Sequence, residues 1–184
     1  MCSEKSKRPI HPHLISRKFM RYALVMTALT TFCFSTVPAA AQAPVGTWTL
    51  VSRTDSSSRG VEPADGALGA DPIAWISYDT RGHVQAQLMA RDRTRATAGA
   101  APKVADPNNS AASGGYDAYF GTYVIDSAAG TVTHRLIGAL SAGDVGRTLT
   151  RHFDLRGDSL LIWFEARRND GLPVIRRLLW RRAD

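Results

Sequence analysis

Cysteine is almost absent: the 184 residues hold two, Cys2 and Cys33, and none beyond position 33. A domain built from the rest of the chain has no disulfide, no thiol nucleophile and no thiolate metal site. Long apolar runs are missing too. The longest stretch, Tyr22 to Val37, carries several threonines and falls short of the ~20 residues that cross a bilayer as a helix. There is no Gly-x-Ser-x-Gly, no His-Glu-x-x-His, no phosphate-cradling glycine loop and no dinucleotide fingerprint. Past residue 41 the histidines are His83, His134 and His152. Strand phase does not let the three converge, so neither a metal nor a cofactor is expected.

The basic character of the chain comes mostly from its start. Its net charge is +7, yet residues 1–41 contain six Lys/Arg and one acid, Glu4. The remainder has 17 basic and 15 acidic residues, which gives no ground for a nucleic-acid partner. The basic flank, the apolar run and the small residues Ala39-Ala40-Ala41 have the parts of a secretory signal peptide. Cleavage is expected after Ala41, leaving a domain over residues 44–184. Met20 opens a more compact signal and is an alternative start. Ser16-Arg17-Lys18-Phe19 has a Lys where a twin-arginine signal has its second Arg. The expected location is periplasmic or secreted, without stable membrane insertion after cleavage.

From Pro44 onward the pattern is one β-rich run after another. Gly46–Arg53 is followed by Ile73–Tyr78 and His83–Met89, joined by Asp79-Thr80-Arg81-Gly82. Phe120–Asp126 and Gly130–Leu136 flank Ser127-Ala128-Ala129. Arg147–Leu155 and Ser159–Glu165 flank Arg156-Gly157-Asp158, and Val174–Arg181 comes last. Short turns with Gly between such runs are hairpin signals. Eight strands so joined predict an all-β, antiparallel up-and-down barrel, closed to remove its edges. A barrel of eight strands just encloses one small ligand. Two stretches break the rhythm, 55–71 and 96–115, and loops of that length are either lids or unstructured. Tyr116–Tyr119 is expected to make one helical turn. The arginines Arg176, Arg177, Arg181 and Arg182 read as solvated charge on a strand edge.

Side chains alternate across a strand, so phase sorts them. His134 shares a face with Val132 and Leu136. Arg151 shares one with Leu149, Phe153 and Leu155, while Thr148, Thr150, His152 and Asp154 take the opposite face. An arginine cannot shed its charge, and a buried one needs an acid, an aromatic ring or a bound anion. Glu165 is out of phase, and Asp126 and Asp154 sit at strand ends. An anionic or carbonyl-bearing ligand therefore suits Arg151 and His134; the alternative is an Arg151 that snorkels to water at a barrel mouth beside a satisfied core histidine. Tyr78, Tyr119, Tyr123, Gln87 and Met89 are further candidate lining groups. Phase leaves open whether Gln85, Gln87 and Met89, or instead Val84, Ala86 and Leu88, face inward.

Gly46-Thr47-Trp48 resembles the Gly-x-Trp signature of the lipocalins. The order of GTWTLVSR, ISYDTRGHVQAQLMARDR, YFGTYVIDSAAGTVTHRL and RHFDLRGDSLLI resembles the bacterial and fungal lipocalin-like domain family over about residues 44–182. The resemblance implies a calycin-like barrel. It also implies structural roles for Gly46 and Trp48, with an Arg of the last strand, Arg181 or Arg182, stacked across the tryptophan. It implies no defined activity.

Three functions follow. One is an exported protein that binds a small lipophilic or amphipathic molecule inside the barrel. Another is a cofactor-independent isomerase, cyclase or lyase, with His134 as acid/base, Arg151 stabilising an oxyanion and Tyr123 or Tyr119 completing the set. The third is a structural or stress-related envelope protein with a filled interior. A monomer and a dimer are both compatible with the sequence.

Overall fold

Runs of alternating β-branched, aromatic and polar residues between glycine-bearing turns build one antiparallel sheet in the computed structural model, which describes residues 43–94 and 108–183. Its strands are β1 (Gly46–Ser57), β2 (Gly60–Pro63), β3 (Ile73–Tyr78), β4 (His83–Met89), β5 (Tyr116–Asp126), β6 (Thr131–Ala139), β7 (Thr148–Arg156), β8 (Ser159–Arg167) and β9 (Pro173–Arg182). From β3 to β9 every strand lies beside its sequence neighbour, and β1 pairs with both β3 and β9. The sheet thus closes into an eight-stranded barrel, with β2 as a short extra strand on the far half of β1. The one helical element among the described residues is a 3-10 turn at Ala142–Asp144, and no helix there is long and apolar enough to cross a membrane. The leader reading and both cysteines fall on residues 1–42, outside the described residues, as does the stretch 95–107 of the second long loop.

Two local expectations are corrected. Tyr116–Tyr119 is not a helical turn but the start of β5, paired Met89↔Tyr116 and Leu88↔Asp117 with β4. Cross-strand pairing outweighs the weak local preference of these four residues. The stretch 55–71 is not a loop throughout. β1 continues to Ser57, held by β9 as far as Ser56↔Ile175, and turns back as β2.

Two register shifts shape the wall. One lies in β1 between Leu50 and Ser52. Trp48 points inward before it, and Arg53 and Asp55 point inward after it. The other lies between Phe120 and Gly121, against β6. At Gly121 a Cβ would come within 1.9 Å of the Arg135 carbonyl oxygen, so the strands can approach this closely only with glycine there.

The core is the barrel interior. Trp48, Val132, Leu149 and Leu160 are fully buried, and burying each large apolar side chain stabilises by roughly 1.5–3 kcal/mol. Val84, Ala86 and Leu88 point in. The up-and-down order puts the tight turns after β3, β5 and β7 at one pole, together with both ends of the domain. There the Ala183 amide donates to the Thr47 carbonyl at 2.8 Å. The longer connections meet at the other pole.

Candidate functional site

A cavity of about 820 Å³ opens at the loop pole. Its depth is apolar, with Ile76, Leu88, Ile162, Phe164, Leu178 and Trp180 on the wall. Its rim comes from Asp65–Leu68, Asn109–Ala112, Ser141–Arg147 and Arg167–Asn169. Each long connection therefore contributes to the entrance. Six arginines line the cavity (Arg53, Arg147, Arg151, Arg167, Arg168 and Arg176) against three aspartates, Asp65, Asp117 and Asp144.

His134 is 1% exposed and faces inward, as its phase requires. Its Nε2 lies 2.9 Å from the Tyr78 hydroxyl and its Nδ1 lies 3.1 Å from the Tyr119 hydroxyl. Burial, and next the nearby Arg151 charge, push the imidazole down to about 3, so it is neutral at pH 7. Burial raises the Tyr119 phenol to about 12 and holds Tyr78 well above its ordinary value. All three groups are uncharged. A neutral imidazole has one N–H and one lone pair. One tyrosine must therefore donate to the ring, and the other must accept from it and keep its own proton for a further acceptor. Tyr119 is on the cavity wall; Tyr78 is not. The arrangement with fewest stranded protons has Tyr78 donating to Nε2, Nδ1–H donating to Tyr119, and the Tyr119 O–H turned to the cavity. This relay presents a hydrogen-bond donor to a ligand oxygen. Both ring nitrogens of His134 are thus engaged by tyrosine hydroxyls.

Arg151 is buried. Its guanidinium carbon is 3.8 Å from the Phe164 ring centroid, and Nη1 donates to Asn108 Oδ1 at 2.9 Å and to the Thr150 carbonyl at 3.2 Å. Asn108 in turn caps the Thr150 backbone with its amide. Arg151 thus lines the cavity, as expected, but its charge lies on an aromatic face and is tethered to the second long loop.

The remaining candidates divide. Tyr119 lines the cavity and Tyr78 supports it from behind. Tyr123 does not reach it. Its ring packs edge-on against Tyr78 with centroids 5.0 Å apart, and its hydroxyl donates to the Asp79 carbonyl at 2.7 Å, plugging the hairpin pole. Gln87 and Met89 are corrected as lining groups. The β4–β5 register turns their face outward, where Gln87 is exposed and accepts a hydrogen bond from Tyr116. Arg181 is corrected as the stacking residue. It is exposed, while Arg182 lies over the Trp48 ring at 4.3 Å and donates to the Val45 carbonyl at 3.0 Å. Gly46 fits beneath it. Its φ is +130°, and a Cβ there would stand 2.5 Å from Arg182 Nη1.

Several charged groups on or behind the cavity wall were not anticipated. Asp55 and Arg176 are directly opposed across β1 and β9 and form a buried fork with two contacts of 2.8 Å. Arg176 is therefore not edge charge. It shares the phase of Val174, Leu178 and Trp180, which the sequence already carried. Asp117 accepts from Ser110, and burial raises its carboxyl above the usual range. Arg53, 6% exposed, donates from Nη1 to the Asp65 and Gly69 carbonyls at 3.0 and 3.2 Å. Burial, and next the Arg176 charge, push it down to about 9. It still holds its proton at neutral pH, and the charges of Asp55, Asp65 and Asp117 offset part of that shift. The Trp180 indole N–H has no hydrogen-bond partner among the described residues. No group of metal-ligating side chains gathers among the described residues.

No curated protein matches the chain. A family model described as a lipocalin-like domain matches residues 45–183, the same span that forms the barrel and its cavity. The chain belongs to the lipocalin-like domain family.

Proposed function

We propose that this protein is an exported carrier of a small amphipathic anion held inside the barrel. A lipocalin-like barrel suits small-molecule binding in general. The finer reading is carried by one observation: an apolar cavity whose wall has twice as many arginines as aspartates. Its volume falls in the range of about 300–1,000 Å³ typical of ligand pockets. Apolar depth takes a hydrocarbon or ring portion, and the net positive wall favours a carboxylate or similar group. The Tyr119 donor suits a carbonyl or carboxylate oxygen. Export is supported by the leader-like composition of residues 1–41.

The test uses two fluorescent probes that differ in charge, 1-anilinonaphthalene-8-sulfonate and the neutral N-phenyl-1-naphthylamine. Both should brighten with the purified protein, and dodecanoate should displace them at least about tenfold better than dodecanol, a margin of about 1.4 kcal/mol. Equal displacement by acid and alcohol, or no binding of either probe, would overturn the reading.

A further inference from the structure

We propose that Arg53, rather than Arg151, is the anchor for the ligand's carboxylate, with the head group beneath the Asp65–Gly69 segment and the tail running down toward Leu178 and Trp180. This rests on the carrier reading above and names the polar subsite within it.

The geometry separates the two cations. Arg151 is already stacked on Phe164 and bonded to Asn108 and Thr150. Arg176 is already matched by Asp55. Arg53 lines the same cavity; among the described residues no carboxylate forms an ion pair with it, and only Nη1 is hydrogen-bonded, to two backbone carbonyls. Nε and Nη2 make no hydrogen bond to the described residues. Those two nitrogens form the edge of a guanidinium that takes a carboxylate as a parallel pair of N–H···O bonds. Asp55, Asp65 and Asp117 act on Arg53 through space, but its direct bonds go to neutral carbonyls, and a buried cation without a directly bonded carboxylate gains from an incoming anion. The clamp of Asp65 and Gly69 carbonyls on Nη1 fixes the fork in place before the ligand arrives, which lowers the cost of ordering it on binding. The same clamp joins the head-group site to the rim segment Asp65–Leu68, so occupancy of the fork and the set of that segment are coupled.

The experiment compares Arg53→Gln, Arg53→Lys and Arg151→Gln with the unaltered protein. It measures displacement of N-phenyl-1-naphthylamine by dodecanoate and by dodecanol. Gln at 53 still donates to the loop carbonyls; Lys keeps the charge but loses the fork. Arg53→Gln should weaken dodecanoate by roughly tenfold to a hundredfold and leave dodecanol unchanged, so that the acid loses its advantage. Arg53→Lys should fall between. Arg151→Gln should keep the preference for acid. An unchanged preference in Arg53→Gln and Arg53→Lys overturns the assignment, as does equal weakening of acid and alcohol by both variants. If preference disappears only in Arg151→Gln, the carrier reading stands and the anchor is Arg151. If the unaltered protein shows no preference for acid, the carrier reading itself fails.

Discussion

The Tyr119 hydroxyl stands 3.1 Å from Nδ1 of His134, a histidine that burial, and next the Arg151 charge, keep neutral in the wall of the barrel. Its value of about 3 against an ordinary 6.5 has a defined effect on stability. Between those values the unfolded chain binds a proton that the folded chain refuses. Stability is therefore complete above pH 6.5 and falls as pH drops towards 3, at a slope of up to about 1.4 kcal/mol per pH unit. Urea unfolding from pH 7.5 to pH 4.5 should show this loss. His134→Gln should be less stable at pH 7.5 yet lose less on acidification; parallel curves for the two proteins would refute the assignment.

The Asp55–Arg176 fork is buried at both ends. Asp55→Asn weakens the two short bonds to Arg176 and leaves it, among the described residues, only the longer Asp65 contact at 3.6 Å, and should cost about 3–5 kcal/mol. Replacing both partners, Asp55→Leu with Arg176→Met, should recover most of that loss, because a buried pair gains little over apolar residues of like size. Chemical denaturation of Asp55→Leu, Arg176→Met and the double variant completes the cycle.

At the hairpin pole, Arg182→Ala removes a cation over Trp48 and a bond to the Val45 carbonyl, and should cost about 1–2 kcal/mol. Arg181→Ala, on the exposed side, should stay within about 0.5 kcal/mol. Gly46→Ala combines an unfavourable φ with a clash against Arg182 and should lose about 1–3 kcal/mol. Thermal melts rank the three.

Inward and outward faces of the barrel should separate by probe binding. Leu178→Trp places an indole where the tail is expected and should reduce N-phenyl-1-naphthylamine binding about tenfold or more. Gln87→Ala and Met89→Ala act on the outer surface and should leave it unchanged within about twofold. Fluorescence titration of each variant decides the matter.

Much of the barrel was legible in the sequence because hairpin turns and alternation are local signals. His134 and Arg151 were found by phase alone, since β6 and β7 run regularly through Val132–Leu136 and Leu149–Phe153. Arg53 and Asp55 were hidden. The irregularity between Leu50 and Ser52 inverts the alternation set by Trp48, and nothing short of a paired strand reveals it. Arg176 was in phase with Val174, Leu178 and Trp180, but four arginines in seven residues read as surface charge. Its acceptor, Asp55, is 121 positions away. Asp117 was lost when Tyr116–Tyr119 read as a turn. Buried ion pairs between distant strands leave no local trace, whereas apolar periodicity does.

The meeting of both domain ends at the hairpin pole has a practical side. With Ala183 fastened to Thr47, a tether joined beside either of these residues leaves from the base of the barrel. The entrance then faces away from the tether, so a surface-immobilised or fused copy keeps its doorway toward the solution.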